Sequence, residues 1–126
     1  MGGSQVKPIN ETYEAGASMA QLDVVIERKI KVAVAAVSRF GRVVRAYLFG
    51  SQVEGTADRW SDIDVAVFVE GVESWDMHHR ARVAAQVQKT AGDDVEIQFL
   101  PAKALQERDD ASFAAWVLIH GMEVQI

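Results

Sequence analysis

The spacing of apolar and polar residues divides the chain into alternating helical and extended segments. From about Leu22 to Phe40, apolar residues recur at intervals of three and four: Leu22, Val25, Ile26, Ile30, Ala33 and Val37. That period predicts an amphipathic helix with Glu27, Arg28, Lys31 and Arg39 facing water and Gly41 as its stop. Val43–Phe49 and the run that ends in Val65-Ala66-Val67-Phe68-Val69 are β-branched or aromatic and are bounded by Gly and polar residues, so both read as strands. Between them, Ser51 to Trp60 reads as a turn and short helix. Ser74 to Ala91 predicts a second long helix, capped by Ser74, ended by Gly92 and striped by Trp75, Ala81, Ala84, Ala85 and Val87. Val95, Ile97 and Phe99 alternate with Asp94, Glu96 and Gln98, the pattern of a half-buried third strand. Beyond Pro101, short helices are expected over Ala102–Arg108 and Ala111–His120, with Trp116 as core, and a closing strand over Glu123–Ile126. Residues 1–20 are small and polar and read as a loose lead to a domain spanning 21–126. The expected class is α/β (α+β): a mixed sheet with helices packed on one face.

Chemistry enters at the ends of the first two strands. Side chains alternate along a strand, so Asp62 and Asp64 share a face, about 6.6 Å apart along it, while Ile63, Val65, Val67 and Val69 point to the other. Two carboxylates at about 4 Å repel by roughly 4 kcal/mol at an effective dielectric near 20. A divalent cation removes that cost, and oxygen-only ligands with no Cys or His beside them suit Mg²⁺ or Mn²⁺. An Asp-x-Asp pair alone is ordinarily a solvated strand edge. Here Gly50-Ser51 ends the preceding strand and opens a helix, which offers backbone N–H groups and a hydroxyl to an anion. Phosphate donors beside paired carboxylates are the parts of metal-assisted phosphoryl or nucleotidyl transfer.

Composition narrows the setting. The chain has 126 residues, 49% hydrophobic and 25% charged, enough for a real core. A net charge of −5 argues against gripping long nucleic acid by phosphate neutralisation. Without cysteine there is no disulfide, thiolate–zinc site or thiol nucleophile. No apolar run is long enough to span a membrane and no secretory leader is apparent, so a cytoplasmic protein is expected. His78 and His79 are adjacent and lack the spacing of paired metal ligands, so they read as surface or boundary residues. Arg42 and Arg45 read as a solvated strand end rather than as triphosphate ligands.

Gly50-Ser51, Gly55 and Ser61-Asp62-Ile63-Asp64 together resemble the signature of the DNA polymerase β-like nucleotidyltransferase superfamily, in particular its minimal nucleotidyltransferase (MNT) domains of the antitoxin type. The resemblance covers about residues 22 to 126, and the ending His-Gly-Met-Glu-Val is similar to the tail of MNT domains. It implies a palm-like sheet and a catalytic, metal-holding set of Asp62, Asp64 and a third carboxylate on the neighbouring strand. Glu96 matches that third position, with Asp94 the second choice. It also implies that Gly50, Ser51, Gln52 and Ser61 bind the nucleotide, with two Mg²⁺ ions and an NTP, ATP foremost. Many members carry Arg after the Ser and a basic residue before the second Gly; Gln52 and Glu54 stand there instead, and Arg59 is the nearest cation that would compensate. MNT domains of this size pair with HEPN-domain ribonuclease toxins and transfer AMP to a partner tyrosine. The alternatives are transfer to a small hydroxyl-bearing molecule such as an antibiotic, with the acceptor surface completed by self-association, and a catalytically weak module that blocks its partner by binding.

Overall fold

A computed structural model describes residues 23–58 and 60–126. The expectations placed on residues 1–20, on Leu22 and on Arg59 lie outside the described residues.

The element order is α1 (Val24–Ser38), β1 (Val43–Phe49), α2 (Ser51–Glu54), β2 (Ile63–Val69), a 3₁₀ turn (Val72–Ser74), α3 (Met77–Ala91), β3 (Val95–Pro101), a second 3₁₀ turn (Ala102–Leu105), α4 (Phe113–His120) and β4 (Met122–Val124). The strands form one sheet in the order β3-β2-β1-β4. β1 runs antiparallel to both β2 and β4, while β2 and β3 are parallel. The parallel pair needs a long crossover, which α3 supplies. The expected mixed α/β sheet is therefore the observed architecture.

Local chemistry explains most boundaries. Asp23 caps α1 by accepting from the Val25 N–H at 2.7 Å. α3 begins later than expected. Asp76 is its cap, accepting from the His79 N–H at 2.8 Å, while Ser74 closes the preceding 3₁₀ turn by donating to the Gly71 carbonyl. Both residue types cap helices well, and spacing alone does not choose between them. The buried stripe of α3 is Val83, Val87 and Ala91 rather than the alanines at 81 and 85, which are exposed. Past Pro101 the expected helix shrinks to the 3₁₀ turn. The closing strand sits slightly earlier than expected, at Met122–Val124, paired with Ala46–Leu48 of β1. Gly121 allows that return: a Cβ there would lie 2.7 Å from the Val117 carbonyl oxygen and 3.2 Å from that of Leu48.

Two apolar clusters sandwich the sheet. On one face, Ile30, Ala33, Val34 and Val37 of α1 and Val83 and Val87 of α3 pack on Leu48, Val65, Val67 and Val95. The two long helices thus share a face, as the periodicity predicts. The opposite face is not left to the carboxylates alone. Tyr47, Ala66 and Phe68 are buried there under Ala104 of the second 3₁₀ turn and Ala114 and Val117 of α4. β2 is therefore covered on both sides for most of its length, and only its first residues open to solvent on the carboxylate side. Among the described residues no helix is long and apolar enough to cross a membrane.

Candidate active site

The open end of β2 gathers the acidic residues. Strand register places Phe49 opposite Asp64 on one side and Glu96 opposite Asp64 on the other. Parallel pairing keeps Asp64 and Glu96 in phase, so both side chains project to the same face. Asp62 lies just before β2 and is exposed. Asp64 is half-buried. Its carboxyl is held above the ordinary carboxylate range, first by burial, then by the negative charges of Asp62 and Glu96. Asp62 and Glu96 thus both act electrostatically on Asp64. Among the described residues, however, no group of three or more His, Cys, Asp or Glu side chains stands where it could hold a metal ion.

Asp94, the other candidate, is engaged elsewhere. Lys29 of α1 donates to both of its carboxylate oxygens, at 2.9 and 3.0 Å. The backbone carbonyl of Asp94 meanwhile accepts from the Ile63 N–H at 2.7 Å. This residue ties β3, β2 and α1 together, and it does not continue the polar face of Glu96 and Gln98.

Gly50 is explained by its geometry. Its backbone, φ 78° and ψ −151°, lies in a region essentially closed to side-chain-bearing residues. A Cβ at this position would also meet Asp64 Oδ2 at 2.6 Å. The strand end therefore needs Gly both to turn into α2 and to leave room for a carboxylate. α2 is a single turn closed by Gly55 in the left-handed conformation. The Ser51 and Gln52 N–H groups open it and have no carbonyl within the helix to bond.

The remaining predicted nucleotide contacts divide. Ser51 opens α2 as expected and is partly accessible. The Gln52 side-chain amide reaches the Asp62 carbonyl at 3.4 Å, a long contact that tethers α2 to the acidic strand. The Ser61 hydroxyl is used by the turn: it accepts from the Asp58 N–H at 3.0 Å and donates to Asp58 Oδ1 at 3.3 Å. Glu54 is exposed. Arg42 and Arg45 serve the sheet, pairing with Glu70 and Glu123 at 3.0 and 3.9 Å. His79 packs edge-on against Trp75 and Phe40, a boundary role.

Trp116 departs from the expectation of a core residue. It is 37% exposed and lies between the rings of Phe113 and His120, with its edge near Phe49. The sequence signal was present: α4 is apolar on every side, and a single helix on the outside of a sheet cannot bury all of them.

A mixed sheet that sets carboxylates from two parallel strands beside a Gly-Ser turn defines an α/β domain of the nucleotide-handling kind. The chain belongs to the nucleotidyltransferase domain family, whose profile matches residues 28–115, and it is a nucleotidyltransferase. Its structure is similar to that of a chain described as a toxin–antitoxin with AMP-PNP, at 24% identity and a TM-score of 0.54, over 79% of this chain and 72% of the other. A second neighbour, described as a candidate nucleotidyltransferase from Sulfolobus solfataricus, aligns at 21% identity and a TM-score of 0.44, over 70% of this chain and 83% of the other. No curated protein matches the sequence.

Proposed function

We propose that the protein transfers a nucleoside monophosphate, AMP foremost, from a nucleoside triphosphate to a hydroxyl of a partner protein, and that the acceptor is a tyrosine of a HEPN-domain toxin. The observation that carries this reading is the register of Asp64 against Glu96, with Asp64 lying over Gly50 at the mouth of the Gly-Ser turn. The family membership supplies the reaction class. The AMP-PNP and toxin–antitoxin context named for the structural neighbour motivates ATP as donor and a protein as acceptor.

The donor set fits a hard divalent cation. Asp62, Asp64 and Glu96 offer only carboxylate oxygens, and the Asp64 carboxyl is raised first by burial and then by the negative charges of Asp62 and Glu96. Those three residues would hold Mg²⁺, which supplies charge neutralisation at the phosphates and a lower pKa for the acceptor hydroxyl when bound. The chain's own groups do the rest. Ser51 Oγ and the first N–H groups of α2 hold the terminal phosphates of the donor. Gly50 keeps that approach free of side-chain atoms. Glu96 takes the acceptor's proton on a carboxylate oxygen as the acceptor oxygen bonds to the α-phosphorus. The bond to the departing pyrophosphate breaks in line.

The test uses α-³²P-ATP with Mg²⁺ and lysate of the native host, comparing wild type with an Asp62→Asn/Asp64→Asn double variant. The expected result is one labelled protein band that only wild type produces, with label released on digestion as tyrosine joined to adenosine through the single α-phosphate. Label on a small molecule would move the acceptor to a metabolite or antibiotic. Label that persists in the double variant would remove these carboxylates from the chemistry.

A further inference from the structure

The geometry points to the outer face of α4 as the surface that seats a basic partner protein beside the carboxylates, an inference that rests on the protein-acceptor reading above. Seen down the α4 axis, the buried residues Ala114, Ala115 and Val117 and the half-buried Leu118 occupy one side. Phe113, Trp116, Ile119 and His120 occupy the other, at the spacing of a single helical stripe. Phe113 is 42% exposed and Ile119 74% exposed, beside the partly exposed Trp116. Three of these side chains are already ordered. Trp116 stacks on Phe113 at 6.1 Å and 9°, and on His120 at 4.8 Å and 27°. Because its rings are held in place before any partner arrives, the ridge has little conformational entropy to lose on binding, and aromatic anchors of this kind dominate interface energetics.

The ridge is continuous with the candidate site. Phe49 packs edge-on against both Phe113 and Trp116, at 5.5 and 6.0 Å, and the next residue is Gly50. A protein seated on α4 therefore stands next to the carboxylates that would act on its hydroxyl.

Charge selects the occupant. The approach to α4 is exposed and acidic at Glu107, Asp109 and Asp110, with one cation among them, Arg108, whose guanidinium donates to the Ala104 and Leu105 carbonyls; Glu54, Asp58 and Asp62 are exposed on the side of the Gly-Ser turn. α4 itself carries no lysine or arginine. A nucleic acid or an anionic membrane would be repelled. A second copy of this chain, with net charge −5, would bring like charge to the same border. The surface fits a protein that presents apolar side chains flanked by lysine or arginine.

Two readouts test this. The first is fluorescence anisotropy with a labelled helical peptide carrying leucines on one face and lysines on the other, beside a counterpart with glutamates in place of the lysines. The lysine peptide should bind and the glutamate peptide should not. Ile119→Ser and Trp116→Ala should each weaken binding roughly tenfold, the effect of losing one interface anchor. Ile119 projects into solvent, so its variant stays folded and decides the matter even where Trp116→Ala does not. The second readout is labelling by α-³²P-ATP. Ile119→Ser should lower label on the host protein roughly tenfold while leaving transfer to a small tyrosine amide unchanged. Equal binding of the two peptides, or Ile119→Ser behaving as wild type in the peptide assay, overturns the surface. Absence of any protein label with wild type overturns the transfer reading instead, and peptide binding alone then decides the surface.

Discussion

Gly50 shows how a single residue can serve backbone and site together. Its φ of 78° and ψ of −151° turn the chain out of β1, and its missing side chain is where Asp64 Oδ2 approaches. Gly50→Ala should therefore cost about 1–3 kcal/mol from backbone strain and push Asp64 aside. Urea unfolding measures the first effect. A cycle with Asp64→Ala isolates the second, since the double variant should recover the clash term. Additive losses would mean that the approach of Asp64 does not constrain this turn. Asp94 teaches the complementary lesson. By alternation it belongs on the face of Glu96, yet its carboxylate is held by Lys29 at 2.9 Å. The alternation rule stops at the strand end, and Asp94 precedes β3 by one residue.

At the scale of elements, β2 is the best guide to what a pattern does and does not reveal. Its first half alternates, and Ile63, Val65 and Val67 fall in the helix-side cluster as alternation requires. Its second half, Val65-Ala66-Val67-Phe68-Val69, is apolar without interruption, the mark of a strand covered on both faces. Phe68 is fully buried under the second 3₁₀ turn and α4. Phe68→Ala should cost about 3–5 kcal/mol, as for a large core truncation. A chemical melt that shows a loss below about 1 kcal/mol would mean that α4 packs loosely over this face. The start of α3 illustrates the opposite limit. Ser74 and Asp76 are both good caps two residues apart, and only the path of the chain out of β2 assigns one to a 3₁₀ turn and the other to the helix.

At the scale of the whole molecule, sheet topology concentrates negative charge at one end of the parallel pair β2 and β3. The consequence is a pH dependence of defined sign. Folding raises the Asp64 carboxyl, through burial and the charges of Asp62 and Glu96, so the native chain holds that proton more tightly than the unfolded chain. In acid both states are neutral at this site and nothing is lost. As pH rises from the ordinary carboxylate value through the raised native one, the contribution to stability falls. Asp64→Asn should remove that slope, making the metal-free variant more stable than wild type at neutral pH and equal to it in acid. Mg²⁺ should raise the thermal midpoint of wild type well above its effect on the variant. Thermal unfolding across pH, with chelator or with Mg²⁺, measures both. An unchanged slope in Asp64→Asn would show that the carboxylate carries no charge penalty.

The sequence by itself determined the long helices, the first three strands and the residue types at the candidate site, because those depend on short-range periodicity and on residue type. Alternation set Asp62 and Asp64 on one face, the Gly50-Ser51 turn could be read beside them, and Glu96 stood out on the third strand. What only the tertiary structure decided were relations between distant segments. Parallel pairing of β2 with β3 brought Glu96 opposite Asp64. Packing of α1 beside β3 drew Asp94 away to Lys29, and the closing of the chain over Tyr47 and Phe68 left the ridge of Phe113, Trp116 and Ile119 outside. Such contacts join residues dozens of positions apart. A local pattern fixes which way a side chain faces within its own element, and the assembly of elements fixes what it meets there.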